Sequence, residues 1–290
     1  MDNTKRHAYL IAVHKNQKQI ENLLSLLDIE ENDLYIHVDL KSTEVDMEAL
    51  KAVVKKAGIF FVRRVSVLWG HITIVESTLI MLEAAVKNGP YSCYHLISGQ
   101  DMPLMTAREI NRFYDEEDQG INHVELCDED WIETHARARI DYYKFSQDPK
   151  TVAQKINNFF RRCIRFVKKK TRTYAGGAAW FDIRHDLALK LLKNRDWIYK
   201  NTSNDLLPDE SALQRVIVNL KLQDSCGPLM RYIDWNTVVE GRYPYVFCIQ
   251  DFDRLISSGM HFARKFDVDI DAEIIEKISA YLREKEGTER

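Results

Sequence analysis

Apolar positions along the chain alternate between two kinds of run. Ala8–His14 (AYLIAVH), Leu34–Val38 (LYIHV) and Cys93–Ile97 (CYHLI) are short and almost continuously apolar, the pattern of strands covered on both faces. Between them Lys18–Leu27 carries Ile20, Leu23, Leu24 and Leu27 at helical spacing. Met47–Ala57 reads as a second helix and His71–Lys87 as a long third one, closed by Asn88-Gly89-Pro90. Phe60–Val62 and Val65–Leu68 read as short strands around two arginines. Thr106–Tyr114 is a helix whose Thr106 and Glu109 have the spacing of a capping box. Further on, Ile121–Leu126 and Ala178–Ile183 are predicted strands and Arg184–Lys193 a helix. Asp209–Leu220 is a helix led by Pro208, Tyr245–Ile249 a strand, and Phe252–Ser257 and Ala272–Glu284 helices. Strands alternating with helices predict an α/β fold with a mainly parallel central sheet flanked by helices. With no repeat and no long linker, one domain over 1–290 is expected. Ligands of such sheets sit beyond the carboxyl ends of the strands, which directs attention to His14, Asp39, Trp69-Gly70 and Ser98–Pro103.

Composition narrows the class. At 45% hydrophobic residues the chain is too apolar to be disordered. No run approaches the ~18 apolar residues of a membrane span, and Ala8–Val13 is short for a signal-peptide core. Cys93, Cys127, Cys163, Cys226 and Cys248 form no CxxC pair; reduced thiols in a cytoplasmic protein are the expectation. The net charge of −3 excludes a polycation wrapping nucleic acid. That charge is unevenly spread, because Lys155–Arg172 holds eight Lys or Arg and no acid. Phe159, Phe160, Ile164 and Val167 lie at helical spacing in the same stretch. Such a segment suits an anionic membrane surface at the inner face of a membrane; a solvated helix with its aromatics turned to the core fits equally.

The glycine loops of NTPases and dehydrogenases, the GxSxG elbow and HExxH are missing. Asp-x-Asp occurs at Asp128/Asp130, Asp251/Asp253, Asp267/Asp269 and Asp269/Asp271, but none follows the Cys93–Ile97 strand, where a metal–nucleotide site is expected. Asp128/Asp130 keeps a metal-dependent transferase open. Leu206-Leu-Pro-Asp-Glu210 places two carboxylates at a helix start, either as dipole complements or with Glu210 as a general base. Arg231-Tyr-Ile-Asp-Trp235 sets an aromatic at a strand end. Gly241-Arg242 and Phe262-Ala-Arg-Lys265-Phe set basic groups in apolar surroundings, where several can converge on a pyrophosphate.

Seven segments carry a resemblance: YIHVDLK (35–41), VSVLWG (65–70), YHLISGQDMPL (94–104), GGAAWFDIRHD (176–186), LLPDESALQRVI (206–217), RYIDW (231–235) and HFARKFD (261–267). In order and spacing, over about residues 8–270, the chain resembles the core-2/I-branching β-1,6-N-acetylglucosaminyltransferase family, which includes the peptide O-xylosyltransferases. The resemblance implies a GT-A-like fold, with a donor-binding half about 1–125, an acceptor and catalytic half about 126–270, and a C-terminal helix over 271–290. It implies inverting transfer without a cofactor or divalent metal, from UDP-GlcNAc or UDP-xylose to a glycan or lipid-linked saccharide. Glu210 matches the family's base. Arg242 and Lys265 match the two cations that hold the donor pyrophosphate, with Arg264 beside them in the xylosyltransferase form. Val13, His14 and Asp39 match the uridine-binding strand ends, and Trp69 is placed with the donor. Trp235, Asp101 and Arg139 are placed with the acceptor. The family's disulfide cysteines are not reproduced, which implies a minimal, bacterial-type, cytoplasmic member. Read outside the resemblance, the basic segment leaves a third option, a non-catalytic membrane-surface adaptor.

Overall fold

The structure is a computed structural model that describes residues 5–118, 120–140, 156, 159, 173–237 and 244–288. Its centre is β1 (His7–Val13), flanked by parallel β2 (Asn32–Val38) and parallel β4 (Cys93–Ser98), with β3 (Gly58–Phe61) parallel to β2 at one edge. Beyond β4 the direction changes. β7 (Phe181–Ile183) runs antiparallel to both β4 and β6 (Asn122–Val124), and β8 (Cys226–Gly227) pairs with β6 in parallel. The order is β3-β2-β1-β4-β7-β6-β8. A mixed α/β fold with a seven-stranded, mostly parallel sheet between helices is consistent with the GT-A-like expectation.

The continuous apolar character of β1 has a direct cause. Successive side chains point to opposite faces, and both faces are covered. Ala8 and Leu10 pack with Val75, Leu79 and Leu82 of α3 (Thr73–Asn88). Tyr9, Ile11 and Val13 pack with Ile20, Leu23 and Leu24 of α1 (Gln17–Leu26). A smaller sheet, β5 (Asp101–Pro103), β10 (Phe262–Arg264) and β9 (Arg231–Ile233), crosses the carboxyl-end side of the first. Its core, Met102, Phe247, Ala263 and Phe266, is capped by Ile274 and Ile278 of the C-terminal helix Ala272–Thr288. Among the described residues no helix is long and apolar enough to cross a membrane.

Several elements differ from expectation. Val65–Leu68 and Tyr245–Val246 are extended but join no ladder, and Ile249 opens a 3-10 turn (Ile249–Asp251). The amide of Val65 donates instead to His37 Nε2 at 3.1 Å. The strand expected from Ala178 begins at Phe181, because the Ala178 amide donates to the Glu125 side chain at 2.6 Å. Thr106–Tyr114 keeps its capping box but passes from α-helix (Ala107–Arg112) into a π-helical turn at Phe113. A helix over Arg195–Thr202 was not foreseen; Asn194 ends the preceding helix and begins this one. The expected helix Asp209–Leu220 splits. Pro208–Glu210 is a separate 3-10 turn, Ser211 breaks it with φ −140°, and the α-helix runs Ala212–Asn219. The described cysteines are free, but only Cys93 is fully buried. Of the basic segment only Ile156 and Phe159 are described, both exposed; the rest of Lys155–Arg172, with Cys163, lies outside the described residues, as does Arg242.

Candidate active site

The carboxyl ends of β1 and β2 meet through one backbone bond, the Asp39 amide donating to the Val13 carbonyl at 2.9 Å. The Asp39 carboxylate accepts from the Lys41 amide at 2.9 Å. The Arg64 guanidinium donates to the carbonyls of Val38, Asp39 and Ser42, at 3.1, 2.7 and 3.0 Å. The β2 loop is thereby fixed by a cation that reaches backbone rather than ligand. His14 stands beside it, open to solvent on one side; partial desolvation of its ring and the adjacent Lys15 hold it below the ordinary imidazole range, against the pull of Asp39. Trp69 is 82% exposed at the tip of the next loop. Gly70 has φ +67°, and a Cβ placed there would stand 3.7 Å from Leu206 and Leu207. This loop therefore abuts the residues that lead into the Pro208–Glu210 turn.

Segment 264–267 lies across the ends of β1 and β4. The Arg264 guanidinium sits 3.8 Å above the Trp180 ring and donates to Asp101 at 3.1 Å. Asp101 is fully buried and also takes the Ser98 amide at 2.7 Å. Its carboxylate is thus committed to Arg264 and to the β4–β5 turn. Lys265 is partly buried, and its carbonyl accepts from the Phe247 amide at 3.0 Å. Asp267, two residues on, is a junction. It accepts from Lys15 Nζ at 2.6 Å, Asn16 Nδ2 at 2.9 Å and Gln100 Nε2 at 3.3 Å. Burial alone would raise its carboxyl, but Lys15 and Asn16 outweigh that and hold it low. Gln19 adds bonds to the carbonyls of Gly99 and Phe266. Three loops are pinned together here: the one after β1, the one after β4 and the one bearing Lys265.

The Pro208–Glu210 turn is entered through Leu207 in the left-handed region, φ 53°. Its flanks are fixed by a buried ion pair, Arg215 Nη1 to Asp205 at 2.6 Å, and by the Leu206 amide on the Arg139 carbonyl at 2.9 Å. The Glu210 carbonyl accepts from the Gly177 amide at 3.0 Å. Gly176 and Gly177 are glycine for want of room: a Cβ would meet the Trp131 ring at 2.4 Å in one case and the Glu125 carbonyl at 2.1 Å in the other. The Glu210 carboxylate pairs with Arg139, whose guanidinium lies 5.3 Å over Trp131. Burial pushes the Glu210 carboxyl up to about 7; Arg139 opposes the rise, while Asp209 and Glu125 add to it. Neither carboxylate lies in the first turn of the following helix Ala212–Asn219, which Ser211 separates from this turn.

Beyond Glu125 opens a cavity of about 520 Å³. Trp235, 39% exposed, forms one wall with Ile233 and Leu229; Glu125, Leu126 and Ala178 form another. With Arg231 also in the lining, the cavity offers an aromatic face, a carboxylate and a guanidinium among apolar side chains, which suits a sugar, whose ring offers a C–H face and hydroxyls. Glu125 was missed in the sequence because no motif surrounds it; its one signal is its place at a strand end, one residue after Val124. Of the predicted site residues, the structure joins Glu210 to Arg139 and Arg264 to Asp101, sets Val13 and His14 near Asp39, and puts Trp235 on the cavity. In each Asp-x-Asp pair one carboxylate is occupied structurally, Asp267 by the contacts above. Asp128 caps a helix, Asp251 takes the Cys248 amide, and Asp271 takes the amides of Ile249 and Ile274. Among the described residues no three His, Cys, Asp or Glu side chains gather as a metal-ligand group.

Compared with known proteins, residues 7–255 match the family described as Core-2/I-Branching enzyme. The chain belongs to this family of glycosyltransferases. Among curated members it is 23% identical to Xylosyltransferase sqv-6 of Caenorhabditis briggsae, over 90% of this chain and 35% of that one. It is likewise 23% identical to Xylosyltransferase 2 of Rattus norvegicus, over 96% and 34%. The human N-acetyllactosaminide beta-1,6-N-acetylglucosaminyl-transferase is 25% identical over 96% and 72%. The chain thus spans about a third of the length of these xylosyltransferases. Glu125, Arg139, Glu210 and Trp235 fall inside the matched span of the Core-2/I-branching family, and the Arg264–Asp267 segment lies beyond its end.

Proposed function

We propose that the chain is an inverting glycosyltransferase that moves GlcNAc from UDP-GlcNAc to a glycan hydroxyl, without a divalent metal. The observation that carries this reading is Glu210: a half-buried carboxylate with raised proton affinity, whose backbone carbonyl takes the Gly177 amide next to Ala178 and Glu125 of the cavity wall. In the reaction the acceptor oxygen bonds to the anomeric carbon as the bond to the UDP oxygen breaks, and Glu210 takes the hydroxyl proton. Bases of this kind give about 10²–10⁴-fold. The leaving diphosphate gathers charge, which Lys265 offsets together with Arg242; a preorganised cation does this best where water is scarce. Arg264 is already balanced by Asp101, so its part is to shape the segment. Trp235 stacks on the acceptor ring, and Asp39 with the Val13–His14 strand end receives the uridine. UDP-xylose is the second reading, favoured by the xylosyltransferase relatives. For the basic segment Lys155–Arg172 we propose contact with an anionic membrane at the cytoplasmic face, where lipid-linked acceptors are held; sedimentation with anionic and neutral vesicles tests this.

The deciding experiment is calorimetric titration with UDP-GlcNAc, UDP-xylose and UDP, each with and without EDTA. Metal-independent binding of one sugar nucleotide supports the reading and selects the donor. Binding that vanishes in EDTA and returns with Mn²⁺ refutes the metal-free mechanism, and no binding of any of the three refutes a UDP-sugar donor and leaves a different nucleotide donor or a degenerate domain.

A further inference from the structure

Asp209 stands beside the base and has no part in the mechanism above. Its Oδ1 is buried and without a hydrogen-bond partner. The Pro208–Glu210 turn fixes it next to Glu210, while the cation at hand, Arg139, is taken by Glu210 itself. A carboxylate held by a guanidinium is a poor base, because the proton it must accept competes with the pairing. A second carboxylate in the same dry turn works the other way. We propose that Asp209 is a positioning residue for the base: its buried carboxylate offsets the Arg139 guanidinium, so that Glu210 remains able to accept a hydroxyl proton instead of serving as a spent counter-ion. This rests on the reading of Glu210 as the base.

The surroundings agree. The titratable and charged groups facing Glu210 are Asp209 from its own turn, Arg139 from the helix Arg137–Ile140, and Glu125 and Cys127 from the chain after β6. Two of the four are carboxylates, one is a cation, and the Cys127 thiol, pushed up to about 12 by burial, carries no charge near neutral pH. Burial raises the Asp209 carboxyl to about 6, so near neutral pH it is largely ionised and acts on Glu210 as a negative charge. The arrangement is a pair of coupled carboxylates, one with a buried, unpartnered Oδ1 and the other, on the reading above, meeting substrate.

The test is carboxyl ¹³C titration of the full chain labelled at glutamate, with Glu210 assigned by its loss in Glu210→Gln. In Asp209→Asn the Glu210 midpoint is expected to fall by roughly one pH unit, and the acid limb of UDP-GlcNAc turnover to move down with it. Asp209→Glu, which keeps the charge, restores both. An unmoved midpoint in Asp209→Asn overturns the proposal, even if turnover drops, because a merely structural role lowers the rate without shifting the limb. If Asp209→Asn fails to fold, the unaltered chain decides: coupling predicts a two-step Glu210 curve, and a single step overturns it. Failure of the base reading shows separately, as turnover surviving in Glu210→Gln.

Discussion

Two places in this molecule bury a carboxylate beside an arginine, and they have opposite character. At the junction of the two sheets Asp182 is fully buried, and its Oδ1 receives Arg231 at 2.9 Å and His95 at 2.8 Å. Burial would raise its carboxyl, but Arg231 and His95 prevail and hold it far below the usual range. In the Pro208–Glu210 turn two carboxylates share one partly exposed arginine, and both are raised, Asp209 to about 6 and Glu210 to about 7. The first arrangement spends its charges on holding β4, β7 and β9 together. The second leaves acidity unspent next to a cavity. Burial is common to both; the count of counter-charges separates scaffold from site.

The sharpest way to break this comparison is Glu210→Gln. Turnover is expected to fall about 10²-fold or more with UDP affinity kept, as read by product formation and calorimetry side by side. Loss of UDP binding as well would place Glu210 in donor recognition instead. Asp182→Asn is expected to act on the other side, leaving Arg231 buried without its counter-ion and costing about 3–5 kcal/mol in urea unfolding. A cost near zero would make the Asp182 network dispensable. Lys265→Ala is expected to weaken UDP roughly 10–100-fold, the range of a lost charge-assisted bond. Asp267→Asn should weaken UDP less, by freeing the loops it joins, and equal losses would make Asp267 a ligand rather than a brace.

The smallest effect is in the pH dependence of stability, where the two regions have opposite signs. The raised carboxyls of Asp209 and Glu210 stabilise the fold below their unfolded values, and that contribution is lost as pH rises through about 6 and 7. His95 and His261 are held by burial near 4. Their contribution is present above the unfolded imidazole value and is lost as pH falls toward 4. Glu210→Gln should therefore remove part of the fall in urea midpoint between about pH 5 and 7, leave the midpoints above pH 7 without slope, and let the opposite, histidine-driven rise over the same range show more steeply.

Legibility in the sequence followed the same physics. β1, β2 and β4 could be read directly because burial on both faces leaves an unbroken apolar run. β5, β8 and β10, two or three residues each, carry too little pattern, and Tyr245–Ile249 looked like a strand because Val246 and Phe247 are core residues in an extended loop. Glu210 was visible from the carboxylates after a proline, but the break at Ser211 that detaches its turn from the helix was not. Glu125, Asp267 and the Arg139–Glu210 pair depend on contacts between residues far apart in the chain. No local spacing announces them.

The loop that abuts the Pro208–Glu210 turn carries a tryptophan almost bare to water. Its indole is thus a built-in dye, expected to emit at the long wavelengths of a wet environment and to be open to quenching by iodide. A nucleotide that draws this loop down onto Leu206 and Leu207 would dry the ring, turn its emission blue and shield it from the quencher. Occupancy can then be followed in real time in an unlabelled protein, and Trp69→Phe removes the signal if the assignment is right.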